Sequence, residues 1–185
     1  MKITPTKIKD LLILEPSVYG DDRGYFMEAF KKEWFSEHFP HIDFIQDNES
    51  QSQRGVLRGL HFQTPPYAQT KLVRVIQGEV LDVAVDLRKD SPTFGQHETI
   101  ILSAENKKQF LVPKGFAHGF VVLSETAIFS YKVDNKYAPE NDSGIIWNDP
   151  DLSINWHINE SEVVLSNKDK QLQSFKEFRT QNSKL

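Results

Sequence analysis

The sequence predicts an all-β fold in which short antiparallel strands form a sandwich or barrel. Three observations carry this expectation. Apolar, β-branched and aromatic residues fall in runs of four to eight, and the clearest run alternates with period 2. Turn signals separate these runs at intervals of roughly 8–12 residues. Helical periodicity is sparse, confined to one stretch near the N-terminus and to the tail.

Along the chain, the first element is a helix over Ala29 to His38, because Phe30, Trp34, Phe35 and His38 fall at i, i+4, i+5 and i+8. The stretch from Arg54 to Lys71, RGVLRGLHFQTPPYAQTK, holds two apolar runs separated by a Pro-Pro turn. Leu72 to Gln77 and Val80 to Leu87 flank a reversal at Gly78-Glu79. In an extended chain Val80, Asp82, Ala84 and Asp86 share one face, and Leu81, Val83, Val85 and Leu87 share the other. Thr99 to Leu102, Gln109 to Val112, Gly119 to Leu123 and Ala127 to Val133 are further strands. Ser91-Pro92, Pro113-Lys114-Gly115 and Ser124-Glu125 mark turns between them. Leu172, Phe175 and Phe178 suggest a helical or extended tail that docks on the body. There is no internal repeat, low-complexity tract or break in composition. One domain over residues 1–185 is expected, with a β-core roughly over 20–160 and a docked tail over 166–185.

Composition narrows the function classes. The chain has 185 residues, 38% of them apolar and 26% charged, which suits a soluble domain with a substantial core. A net charge of −4 gives no overall attraction to nucleic acid. There are no cysteines, so disulfides and thiolate metal sites are excluded. The N-terminal apolar run, Leu11 to Leu14, is too short for a signal-peptide core or a membrane span. A cytoplasmic protein with no membrane partner is expected.

The chemistry-bearing residues concentrate around the Pro-Pro turn. Arg58, His61 and Lys71 flank it, His118 follows in PKGFAHGF, and Tyr131 in FSYK. A histidine between Leu60 and Phe62 is more often a hydrogen-bonded core residue than a catalyst. The neighbouring cations Arg58 and Lys71 favour an unprotonated imidazole, the state a general base needs. Lys71 reads either as a solvated lysine at a strand start or as an ammonium for a developing oxyanion. Alternation puts Tyr131 on the inward face of Phe129, where a phenol is either packed in the core or a general acid. Strand-rich folds that bind iron or manganese often use an HxH pair, a distant glutamate and a third histidine. Here the corresponding triplet is His61-Phe62-Gln63, and Gln63 and Glu79 are poor replacements, so no metal is expected.

A scattered polar set suits an anionic ligand: Arg23 and Glu28 in DDRGYFME, then Gln46, Asp47 and Asn48, with Arg58, His118 and Lys168. Each alone also reads as solvated surface. Tyr137 reads as turn packing before Pro139 or as a flat stacking surface for a base. Glycine-rich phosphate loops are absent, so a nucleotide would be held by side chains.

These residues sit in ordered motifs that resemble the dTDP-4-dehydrorhamnose 3,5-epimerase family nearly end to end. The motifs are DDRGYFMEAF, QDNESQSQRGVLRGLHFQ, KLVRVIQGEVLDVAVDLRKDSPTFG, LSAENKKQFLVPKGFAHGF, YKVDNKYAPENDSGIIWNDP and LSNKDK. The resemblance implies a cupin-type antiparallel jelly-roll β-barrel with a few short peripheral helices, and a homodimer. It implies epimerisation at C3 and C5 of dTDP-4-keto-6-deoxyglucose, a 4-keto sugar, with no metal or other cofactor. It further implies that His61 is the base, Asp169 its carboxylate partner, Tyr131 the acid and Lys71 the group that stabilises the enolate. Arg23, Glu28, Gln46, Asp47, Asn48, Arg58, Lys71, His118, Asp142 and Lys168 fall where the family contacts the nucleotide sugar, and Tyr137 where it stacks on thymine. Thr70 stands where glycine is expected, Asp142 where glutamate is common, and Asn167 where the family usually reads SEKD. None of these departures removes a catalytic group.

Overall fold

The computed structural model describes residues 1–182. Thirteen strands and two helices run in the order β1 (Lys2–Pro5), β2 (Leu12–Glu15), β3 (Val18–Asp21), β4 (Gly24–Met27), α1 (Lys32–His38), β5 (Gln46–Gln53), β6 (Leu57–Gln63), β7 (Lys71–Gln77), β8 (Glu79–Asp86), β9 (His97–Ser103), β10 (Gln109–Val112), β11 (Phe116–Val122), β12 (Thr126–Val133), β13 (Asp142–Gly144) and α2 (Phe175–Asn182). Short 3₁₀ turns lie at Pro139–Asn141, Glu160–Glu162 and Asp169–Gln171.

The strands form a six-stranded sheet (β1-β2-β10-β7-β12-β5), a five-stranded sheet (β13-β6-β11-β8-β9) and a separate two-stranded ribbon, β3-β4. All the ladders between these strands are antiparallel. The all-β antiparallel architecture is the one the residue pattern predicts, and its arrangement is consistent with the cupin-like jelly roll that the resemblance implies. The two strands at one edge of the large sheet, β1 and β2, come from residues 2–15, ahead of the span expected to hold the β-core.

Period-2 alternation on strands buried on both faces produces three apolar layers. Val80 and Ala84 of β8 face inward, packing with Val73, Phe110, Phe120 and Phe129 between the two sheets. Leu81, Val83 and Val85 face the other way, under Trp147, Trp156, Phe175 and Phe178. A third cluster covers the back of the large sheet, where Phe35 of α1 packs on Leu14, Leu72 and Leu111. The tail therefore contributes α2 and two buried phenylalanines to the outer layer; residues 183–185, the end of the expected tail, lie outside the described residues.

The first helix begins at Lys32 rather than Ala29. Phe30 precedes it, yet still packs on Phe35, with ring centroids 4.9 Å apart. The Ala29 carbonyl is taken by the Gln109 side chain, whose Nε2 donates to it at 2.7 Å. Apolar spacing alone does not distinguish a residue within the first turn from one folded back on it.

Candidate active site

A cleft opens between the two sheets. It has two lobes of about 340 Å³ each, and His61, Lys71 and Tyr131 line both. One lobe extends to Gln46, Asn48, Tyr137 and Asp142. The other extends to Arg58, His118, Lys168 and Asp169. His61 comes from the five-stranded sheet, whereas Lys71 and Tyr131 come from the six-stranded sheet.

Strict alternation would put Arg58 and His61, three apart on β6, on opposite faces. The β6–β11 ladder shifts register between them: His118 pairs with His61, but Phe120 pairs with Arg58, so three residues of β6 span two of β11. The bulge turns both side chains into the cleft. Gly59 sits in the bulge at φ +130°, and a Cβ there would lie 2.5 Å from the Gly119 Cα. Only glycine fits this close approach.

His61 is hydrogen-bonded through Nε2 to Asp169 Oδ1 at 2.5 Å. Its direct partner is thus a carboxylate, not the cations that its sequence neighbours suggest. With the carboxylate accepting at Nε2, Nδ1 is the nitrogen able to take a proton. Asp169 also accepts from the Ser166 hydroxyl at 2.7 Å. Burial alone would raise this carboxyl, but the His61 and Ser166 hydrogen bonds outweigh it and hold the carboxyl below the usual range.

Lys71 lines the open cleft, but its ammonium is poorly solvated. Burial lowers its pKa to about 8, against the opposing pull of Asp82 and Asp142. Burial raises the Tyr131 phenol, with Arg58 acting against the shift and Asp142 adding to it. The phenol therefore stays protonated at neutral pH, as a proton donor requires. Arg58 donates from Nε and Nη2 to Ser52 Oγ of β5 at 3.2 and 3.1 Å. Asp142 pairs with Lys168 and accepts from the Tyr137 hydroxyl at 2.8 Å. His118 Nε2 lies 2.8 Å from Asp82 Oδ1.

Three residues of the expected ligand set lie elsewhere within this chain. Asp47 alternates away from Gln46 and Asn48 and pairs with Lys132 at 2.6 Å. Arg23 sits at the turn of the β3–β4 ribbon, paired with Asp21 and largely exposed. Glu28 borders a different hollow, beside Lys31 and Trp34. Gln63, weighed as a metal ligand, spends its amide on the loop backbone: Nε2 donates to Tyr67 and Lys136, and Oε1 accepts from Ala138 N. Sequence reasoning missed Ser166, Ser52 and Asp82 as partners of site residues. Asp82 alone carried a signal, as a carboxylate on the inward parity of VLDVAVDL.

A larger groove of about 860 Å³ runs behind β6, bordered by Phe62, Pro65, Phe94 and Phe178. It is mostly apolar, and His61, Lys71 and Tyr131 do not line it. The chemistry-bearing groups converge in the smaller cleft, which we take as the candidate site.

The sequence profile of the dTDP-4-dehydrorhamnose 3,5-epimerase family matches residues 5–177. The Pseudomonas aeruginosa dTDP-4-dehydrorhamnose 3,5-epimerase is 54% identical over 176 residues, covering 95% of this chain and 96% of its own. A Legionella pneumophila 3,5-epimerase, solved in complex with dTDP-4-keto-L-rhamnose, superposes with a TM-score of 0.89 at 51% identity, over 94% of this chain and 92% of that one. At greater distance, a 3′-monoepimerase from Streptomyces bikiniensis, in complex with dTDP-quinovose, has a TM-score of 0.90 at 32% identity, covering 96% and 90%.

Proposed function

Since the chain belongs to the dTDP-4-dehydrorhamnose 3,5-epimerase family, and is therefore an epimerase, we propose that it inverts C3 and C5 of dTDP-4-keto-6-deoxyglucose, giving dTDP-4-keto-L-rhamnose. The observation that carries this reading is the meeting of His61, Lys71 and Tyr131 in one cleft, with base and phenol on opposing sheets.

The chemistry follows from the C4 ketone. It makes the hydrogens on both C3 and C5 acidic, though far less so than imidazolium. His61, oriented by Asp169, removes the proton, a step worth about 10²–10⁴-fold. Lys71 offers its ammonium to the developing enolate oxygen, and a preorganised donor of this kind contributes roughly 3–4 kcal/mol. Tyr131 returns a proton from the opposite face, which inverts the centre. No electrons leave the substrate, so proton transfer alone completes the reaction. Arg58, His118 and Lys168 suit the diphosphate, Gln46 and Asn48 the nucleoside end, and Tyr137 the thymine ring.

We further propose a cytoplasmic homodimer. The β3–β4 ribbon carries Tyr19, Tyr25 and Phe26, at 67, 58 and 66% exposure, together with Arg23. A ribbon this apolar suits burial against a second copy, which would let Arg23 and Glu28 reach the partner's cleft. Light scattering of the Tyr25→Asp, Phe26→Asp variant should show monomers where the natural chain shows dimers. For location, the absence of cysteine agrees with a reducing compartment, and no helix of the described residues is long and apolar enough to cross a membrane.

Incubation with dTDP-4-keto-6-deoxyglucose in heavy water tests the main reading. Deuterium should enter both C3 and C5, and a chain that exchanges neither carbon ends the proposal. The fold shared with a 3′-monoepimerase supports a second reading, inversion at one centre only. NMR of the product separates the two.

A further inference from the structure

A second histidine–aspartate pair lies inside the barrel beneath the cleft. Asp82 is fully buried on the inward face of β8, between Val80 and Ala84. Its Oδ1 meets His118 Nε2 at 2.8 Å. Its Oδ2 is buried with no hydrogen-bond partner among the described residues. A carboxylate in such surroundings is strongly disfavoured unless nearby positive charge compensates it. The groups that face this spot come from several strands: His118 from β11 and Lys71 from β7, with His61 and Arg58 of β6, Tyr131 of β12 and Asp142 of β13 around the cleft.

We propose that Asp82 is a positioning residue whose carboxylate keeps Lys71 an ammonium and holds the His118 imidazole as its Nε2–H tautomer. This deepens the reading above and rests on Lys71 acting at the enolate oxygen. The unpartnered Oδ2 then has a physical account: it faces a diffuse electrostatic task rather than a hydrogen bond. The His118 Nδ1 is left as the ring's other polar atom, available to a substrate in the lobe that His118 lines.

Lys71 illustrates why a counter-charge is needed. Burial holds it at about 8, and Asp82 is the foremost charge acting against that fall. Burial in turn pushes the Asp82 carboxyl up, while His118 and Lys71 pull it down. Each of these two charges supports the other, so Lys71 and Asp82 titrate as a pair.

Asp82→Asn keeps the volume and an acceptor for His118 but removes the charge. In the ligand-free enzyme, ¹⁵N-lysine NMR follows the Lys71 ammonium, with Lys71→Arg identifying its signal. The Lys71 midpoint should fall by about one pH unit or more in Asp82→Asn. An unchanged midpoint, even with altered thermal stability, overturns the proposal and leaves Asp82 a structural residue. The high-pH limb of kcat should move down with the midpoint. A midpoint that moves while the limb stays put supports the assignment of Asp82 and instead removes Lys71 from the chemistry. If the variant does not fold, ¹³C NMR of the natural enzyme decides. An ionised Asp82 carboxyl at pH 7 supports the proposal, and a protonated one overturns it.

Discussion

His61 and His118 stand directly opposite each other on neighbouring strands, and each is paired with an aspartate, yet the two pairs are built to opposite specifications. The His61–Asp169 side chains are 30 and 4% exposed, and the pair closes at 2.5 Å at the cleft. The His118–Asp82 side chains are 7 and 0% exposed, and the pair lies at 2.8 Å inside the barrel. Both oxygens of Asp169 are engaged, by His61 and Ser166, whereas Asp82 has one oxygen without a partner. The carboxyls shift in opposite directions accordingly, Asp169 down and Asp82 up. The difference teaches that the number of donors around a buried carboxyl, rather than depth alone, decides which way it titrates. One pair is suited to move a proton and the other to fix a charge.

The sharpest way to break this comparison is to remove each histidine. His61→Ala should lower turnover by at least about 10²-fold and stop deuterium entry at both carbons. His118→Ala should still allow exchange but raise KM; equal loss of exchange in both variants would erase the distinction. Tyr131→Phe should retain exchange and lose inversion, which product NMR reads directly.

Next in size is the backbone that aligns the two strands. Gly59→Ala forces a Cβ into Gly119 at a left-handed φ and should destabilise the fold by about 2–4 kcal/mol, measured by urea unfolding.

The acid response should separate the two aspartates more finely. Asp169 has a folded pKa below the unfolded 3.8, so its stabilisation is present above about pH 4 and lost as pH falls through the folded value. Asp82 has a raised folded pKa, so its stabilisation is present below about pH 4 and lost as pH rises through the folded value. Thermal midpoints of Asp169→Asn should approach those of the natural chain on acidification, while those of Asp82→Asn should fall behind. Parallel curves would show that the two carboxyls are equivalent.

The smallest effect belongs to the rim. Tyr137→Phe loses only an exposed hydrogen bond to Asp142 and should change KM by a few-fold, with kcat unaltered.

The strands that were legible in the sequence are those whose apolar residues must be buried. β7, β8 and β10 follow from LVRVIQ, VLDVAVDL and QFLV. β5 left no such mark: QDNESQSQ is polar throughout and lies at the sheet edge, where mostly exposed residues need no alternation. In the site, Tyr131 facing inward with Phe129 followed from simple parity. Arg58 beside His61 did not, because a bulge overrides parity at Gly59. The partnership of His61 with Asp169 spans 108 residues and no local spacing encodes it; only the family resemblance pointed there. Parity also turns Asp47 away from Gln46 and Asn48, toward Lys132, a separation that the adjacency of the three residues in sequence does not show.

The last strand ends at Gly144, while Asp169 arrives on the segment that runs into α2, anchored by Phe175 and Phe178. A chain cut after residue 165 would keep every strand of the described residues and still lose the carboxylate hydrogen-bonded to His61. The geometry of the site therefore rests on that docked segment as much as on the strands beneath it.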